Sequence, residues 1–323
     1  MAKGYTKEER KKIKNERLGV ANFNYQNSLM KVVIYNNSKD IIVEFQDDGK
    51  ARVHTSWSWF EKGVVENPFV RLGEERLNNQ GSLMKIVEYK NSSDMVVEFQ
   101  DDYRAKVNTQ YSHFSRGQIK NPYHPSICGV GMIGEKYPIS VNSKHTKEYN
   151  AWVGIIERCY SEKWKMKRPT YENVTCCKEW LLYENFYEWL HSQPNFEKWY
   201  NGKRWAIDKD ILNKGNKVYS PETCCLVSLG VNSLFTKCDK IRGDLPIGVS
   251  RDGKKFRAYC TNPFTKEFEY LGKFDTSEKA FYLGYKPRKE IIIKQVAEFE
   301  YNEGNISKEC YDTMMNYIVE ITD

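Results

Sequence analysis

Apolar residues in the first third of the chain fall in short runs with a period of two, broken by small polar residues. Met30–Tyr35 and Ile41–Phe45 are apolar and rich in β-branched residues, and the turn formers Asn36-Asn37-Ser38-Lys39-Asp40 lie between them. Asp47-Asp48-Gly49 marks a second turn before the alternating Ala51, Val53 and Thr55. The pattern predicts three or more strands in about 50 residues. It then recurs. Residues 82–123 repeat residues 28–69 without a gap, so that Asp40 matches Asp94, Phe45 matches Phe99 and Gly63 matches Gly117. The match extends back to Arg17-Leu18-Gly19 and Arg71-Leu72-Gly73. Two β units are expected, 17–70 and 71–124, each a small barrel-like sheet. Before them Thr6–Arg17 reads as a short basic helix, part of an arm at residues 1–16.

From residue 125 the period changes. Gly129–Ser140 reads as a strand pair. Thr146–Tyr160 reads as a helix with Trp152, Ile155, Ile156 and Cys159 on one face. Cys176–Leu190 reads as a second helix anchored by Trp180, Phe186 and Trp189. A strand (205–212), a polar loop (213–217), a strand (223–227) and a helix from Gly230 follow. Beyond residue 243 the pattern gives three strands (247–251, 254–262, 267–273) and a helix from Thr276. Pro287 is expected to break or kink that helix before another at 289–300. A last amphipathic helix is expected at 307–321. The fold class is therefore α+β and multi-domain, with divisions at 1–16, 17–70, 71–124, 125–242 and 243–323.

In the strand at 254–262, Phe256, Ala258 and Cys260 alternate with Lys255, Arg257 and Tyr259. One set faces a helix, on which Ala280 and Gly284 are small enough for close packing. The other set makes an outward face that is basic and aromatic. A three-stranded sheet with Arg, Lys and Tyr on its free face can enter the major groove of DNA.

Composition narrows the classes. The chain has 323 residues, is 40% hydrophobic and carries a net charge of +7. It has enough apolar residues for real cores, and a mildly basic balance suits an anionic partner. Residues 1–18 hold seven basic and three acidic residues. The nine cysteines contain no C-x-x-C, and the vicinal pairs Cys176-Cys177 and Cys224-Cys225 lack zinc-ribbon spacing. Reduced thiols, partly in the core, are expected, with a zinc site between the two pairs as the alternative. No apolar run is long enough for a signal peptide or membrane span, so a cytoplasmic protein with no membrane partner is expected.

Two segments carry family resemblances. Residues 245–260 and 268–285 resemble the Apetala/ethylene-response-factor type DNA-binding domain, through Gly248-Val249, Phe256-Arg257-Ala258, Tyr270-Leu271-Gly272, Phe274-Asp275-Thr276 and Ala280. The resemblance implies a sheet in the major groove of double-stranded DNA, with contacts from Arg251, Arg257 and Tyr270. Strand geometry adds Lys255, Tyr259 and Lys273. Phe256 and Tyr270 stand where that family usually has tryptophan.

Residues 205–235 resemble the ββα-metal core of HNH nucleases, in the phage form with flanking Arg158-Cys159-Tyr160 and Ser220-Pro221-Glu222-Thr223-Cys224. The resemblance implies a phage or prophage origin and metal-dependent cleavage or nicking of DNA. Asp208 and Asn232 would hold Mg²⁺ or Mn²⁺. The catalytic histidine of that family is replaced by Lys209, a poor base at neutral pH. Asp210 is the substitute candidate for the catalytic role. The bland alternative makes 208–210 a surface charge cluster on a retired nuclease core. Three functions stay open: an endonuclease, a non-enzymatic DNA-binding regulator, and a phage inhibitor that contacts a host defence protein through its repeats.

Overall fold

The computed structural model describes residues 6–47, 50–236, 243–264 and 266–323. The expected turn at Asp48-Gly49, the start of the basic arm, Cys238 and the expected boundary at 242/243 lie outside the described residues. The architecture is mixed α+β with several small sheets, nearly all antiparallel. Two compact units divide the chain, Met1–His124 and Pro125–Asp323. Among the described residues no helix is long and apolar enough to cross a membrane.

In the first unit α1 (Lys7–Arg17) starts at a capping box, in which Thr6 and Glu9 satisfy each other's backbone N–H. Each repeat then forms a four-stranded meander. The first is β1 (Ala21–Phe23), β2 (Leu29–Asn37), β3 (Asp40–Phe45) and β4 (Arg52–Thr55), closed by α2 (Trp57–Glu61). The second is β5 (Glu75–Leu77), β6 (Leu83–Asn91), β7 (Asp94–Phe99) and β8 (Lys106–Thr109), with α3 (Tyr111–Ser115). Met30 opposes Phe45 as Met84 opposes Phe99, and both copies shift register after Val32 and Ile86. The sheets are open, not barrels, because each ends on a four-residue strand that pairs on one side only. One face of each packs its own core, led by Met30, Ile41, Phe45 and Phe60 in the first and Met84, Met95, Phe99 and Phe114 in the second.

A buried asparagine ties the ends of each repeat. Asn67 donates to Ser28 Oγ and to Asp47, and its Oδ1 accepts from the Phe69 amide. Asn121 does the same with Ser82, Asp101 and Tyr123. The copies join at Glu66, whose two carboxylate oxygens accept from Tyr25 and Tyr89 hydroxyls at 2.8 and 3.0 Å.

The second unit holds α4 (Lys147–Tyr160), α5 (Glu162–Lys167), α6 (Tyr183–Ser192) and α7 (Phe196–Asn201) around a core of Trp152, Ile155, Trp180 and Phe186. The expected strand pair at 129–140 is reduced to single bridges at Ile127–Gly131 and Met132–Leu182. A two-residue hairpin, β9 (Ser140–Val141) with β10 (Lys144–His145), follows instead. The helix expected at 176–190 begins only at Tyr183. Thr175–Cys176 is taken up as strand β11, parallel to β13 (Val218–Tyr219), and Leu182 is extended. Trp180 nevertheless anchors the core, its carbonyl accepting from Trp152 Nε1 at 2.7 Å.

Then come β12 (Trp205–Asp208), β14 (Cys225–Ser228) and α8 (Leu229–Leu234). The last part has β15 (Val249–Asp252), β16 (Lys255–Thr261) and β17 (Phe268–Phe274), then α9 (Ser277–Lys279), a π-helical stretch Ala280–Tyr285, α10 (Lys286–Asn302) and α11 (Lys308–Met315). Pro287 does not break the helix. It sits in the first turn of α10, directly after the π-helical stretch, where the Lys286 amide bonds back to the Phe281 carbonyl. The last helix stops six residues short of Ile321, because Lys286 and Glu290 of α10 bind the Val319 backbone.

A single core spans the expected 242/243 division. Cys225, Val227 and Val231 pack in it with Val249, Ala258, Phe281, Ile293 and Met314. The ββα segment and the C-terminal sheet therefore share one apolar interior and are not independent modules.

Candidate nucleic-acid interface and the ββα segment

The β15–β16–β17 sheet has one covered and one open face. Cross-strand partners share a face, so the pairing assigns every side chain. Val249 with Ala258, Phe256 with Phe274 and Cys260 with Glu269 lie toward the helix. Close approach depends on Gly284, where an added Cβ would lie 2.5 Å from Ala258 Cβ. The open face presents Ser250, Arg257 and Lys273 in one row and Asp252 with Lys255 in the next. Tyr259 with Tyr270 and Thr261 with Phe268 make the other end.

Tyr270 and Lys273 are three residues apart, which strict alternation would put on opposite faces. A bulge at Leu271 brings both outward, and Gly272 supplies the φ of +118° it needs. Of the six expected contact residues, Lys255, Arg257, Tyr259, Tyr270 and Lys273 are outward. Arg251 is not. It opposes Phe256, and its guanidinium carbon lies 5.1 Å from that ring's centroid.

The charge on the open face is partly internal. Lys255 pairs with Asp275 at 3.1 Å and Lys273 with Asp252 at 3.0 Å, while Arg257 Nε donates to Ser250 Oγ at 3.0 Å. These exposed pairs are worth little in water and exchange readily for other anions. Asp252 and Asp275 were not evident as members of this surface from sequence, since their roles depend on register. Phe268 was also missed, though its spacing from Tyr270 carries the signal; it is 63% exposed.

In the ββα segment β12 pairs antiparallel with β14, Asp208 opposite Cys225, and α8 packs on both strands. Ser228 caps α8 by accepting from the Val231 amide. Asp208 ends β12, because its Oδ1 accepts from the Asp210 and Ile211 amides at 2.7 and 2.8 Å and turns the chain. Burial pushes its carboxyl above the ordinary value despite those two bonds.

Lys209 is not part of a surface cluster. Its side chain is 8% exposed, and its ammonium donates to both Asp210 oxygens at 2.7 Å and to the Asn216 carbonyl at 3.0 Å. Asn216 returns a bond to the Lys209 carbonyl at 2.9 Å. The lysine is thus a staple for the 209–217 loop, and Asp210 is occupied as its counter-ion. Asn232 lies half-buried on α8.

This donor set fits a catalytic metal poorly. Asp208 has one oxygen committed to the backbone, and a buried ammonium follows it in sequence. Among the described residues no three His, Cys, Asp or Glu side chains group around a common point. That holds for the thiols too. The eight described cysteines are free and mostly buried. The flanking motifs have packing roles: Tyr160 Oη bonds both the amide and the carbonyl of Cys176, and Ser220 Oγ meets Thr223 Oγ1 at 3.1 Å.

No family model, curated protein or solved structure matches this chain.

Proposed function

We propose that the protein binds double-stranded DNA through the open face of the β15–β17 sheet. The observation that carries this reading is the segregation of that sheet: Lys255, Arg257, Tyr259, Tyr270 and Lys273 on one side, and an apolar face buried on the helix on the other. Phosphates would displace Asp252 and Asp275 from their lysines, and base edges would meet the tyrosines. The resemblance of residues 245–285 to the Apetala type domain supports the same face. The ββα segment is then a retired HNH-like core that stiffens the sheet from behind through the shared interior.

The test is a mobility shift of the full chain on duplex DNA at low salt, beside incubation of supercoiled plasmid with Mg²⁺ or Mn²⁺. A shift that is weakened in Arg257→Ala/Lys273→Ala, with no nicking, supports the reading. No shift would sink it.

A second reading, a metal-dependent nickase, is favoured by the β12–β14–α8 arrangement, which puts Asp208 and Asn232 on elements in contact. Nicking that is lost in Asp208→Ala would establish it. The third function, inhibition of a host protein, would draw on repeat 1, which exposes Trp59 where repeat 2 has His113.

A further inference from the structure

The open face is divided along its length, and the duplex-binding reading uses chiefly the charged end. At the other end Tyr259 and Phe268 stack with centroids 5.0 Å apart and planes at 26°, and Tyr270 stands directly opposite Tyr259. Phe268 and Tyr270 are 63% and 60% exposed. Single exposed aromatics are ordinary, but three neighbouring rings on one face of a sheet make a surface. Glu269, between Phe268 and Tyr270, lies on the other face and bonds Arg288 at 2.7 Å.

Resting on the DNA reading above, we infer that Tyr259, Phe268 and Tyr270 receive unpaired bases, so that the sheet prefers DNA in which a duplex gives way to a single strand. A duplex shows proteins its base edges and phosphates, while its base faces are covered by their neighbours. Flat exposed rings match base faces, and these become accessible only where the strand is unstacked. The two ends are close enough for one strand to use both. Arg257 and Tyr259 are two residues apart on β16, about 7 Å at the usual strand rise. The cation row therefore holds phosphates of the duplex end while the next bases lie on the rings. With Lys255 and Lys273 each bound to an aspartate, the charged end is a modest anchor, and the rings supply the selectivity.

The experiment uses the full chain and three fluorescent DNAs of one sequence: a blunt duplex, the same duplex with a short single-stranded tail, and the single strand. Anisotropy titrations at one salt concentration should give at least tenfold tighter binding to the tailed duplex than to the blunt one. Phe268→Ala, at a ring that the duplex reading does not use, should remove most of that preference and change blunt-duplex affinity less than twofold. Arg257→Ala should weaken both. Circular dichroism checks that the variants fold, and Phe268→Tyr, which keeps a ring, should keep the preference. Equal wild-type affinity for blunt and tailed duplexes overturns the inference and leaves the duplex reading standing. So does a Phe268→Ala variant that weakens binding to both substrates alike. Failure to bind any of the three removes the DNA reading itself.

Discussion

Arg257 on β16 and Lys273 on β17 stand directly opposite each other on the open face of the sheet. Like charges in cross-strand register are mildly destabilising, and here Ser250 and Asp252 only partly relieve them. An arrangement of this kind serves an anionic partner better than it serves folding. Arg257→Ala should therefore change the unfolding free energy by less than about 0.5 kcal/mol, the usual range for surface changes. Urea denaturation of the full chain measures this. A loss well beyond that range would make Arg257 a structural residue instead.

Lys209 behaves as a loop staple in this structure. Lys209→Ala removes three charge-assisted bonds and should cost about 1–3 kcal/mol, seen as a lower denaturation midpoint. Lys209→His should remain inert on plasmid with Mg²⁺ or Mn²⁺, because the side chain at this position runs into the loop toward Asn216. A tenfold gain in nicking, about 1.4 kcal/mol of barrier, would show that the position can serve as a base.

Asp208 gives a pH test. Burial raises its carboxyl pKa in the folded chain above the unfolded value. The folded state thus binds the proton more tightly, and its advantage is fully present below the unfolded pKa and lost as pH rises through the folded one. Asp208→Asn keeps an oxygen for the Asp210 and Ile211 amides without the buried charge. Its melting temperature should equal or exceed wild type at pH 7, with the margin shrinking as pH falls toward 4. A variant less stable than wild type at pH 7 would mean that the ionised carboxylate is needed.

The repeats allow a matched pair of substitutions. Asn67 and Asn121 make the same three bonds, 54 residues apart. Asn67→Ala and Asn121→Ala each strand buried partners and should each cost about 1–3 kcal/mol, and the two losses should agree closely. Chemical denaturation followed by the tryptophans of repeat 1 and by hydrogen exchange in repeat 2 compares them. Unequal losses would show that the copies have diverged in how their ends are held.

Local patterning made much of this legible. The 54-residue offset gave the equivalence of the two sheets, because strand pairing follows residue identity when the whole unit is copied. The alternation in 255–260 gave the correct faces of β16. The failures have physical causes. A barrel was expected because strand count does not reveal whether a sheet closes. Cys176 was assigned to a helix because its pairing partner, Tyr219, is 43 residues away. Arg251 was placed outward by position, and only cross-strand register to Phe256 reveals its face. Lys209 is buried although charge suggests surface, because Asn216 and Asp210 supply partners that allow it. The core that holds both Val227 and Phe281 was invisible for the same reason: its two sides come together only in three dimensions.

The most direct test of the DNA-binding sheet is the salt dependence of duplex affinity. Each phosphate neutralised contributes a slope of about −0.9 to log K against log salt. Lys255, Arg257 and Lys273 together should give wild type a slope of roughly −2.7. Arg257→Ala should lessen it by about 0.9 with its fold intact. Salt-independent binding, or an identical slope in Arg257→Ala, would contradict the assignment of this face to DNA.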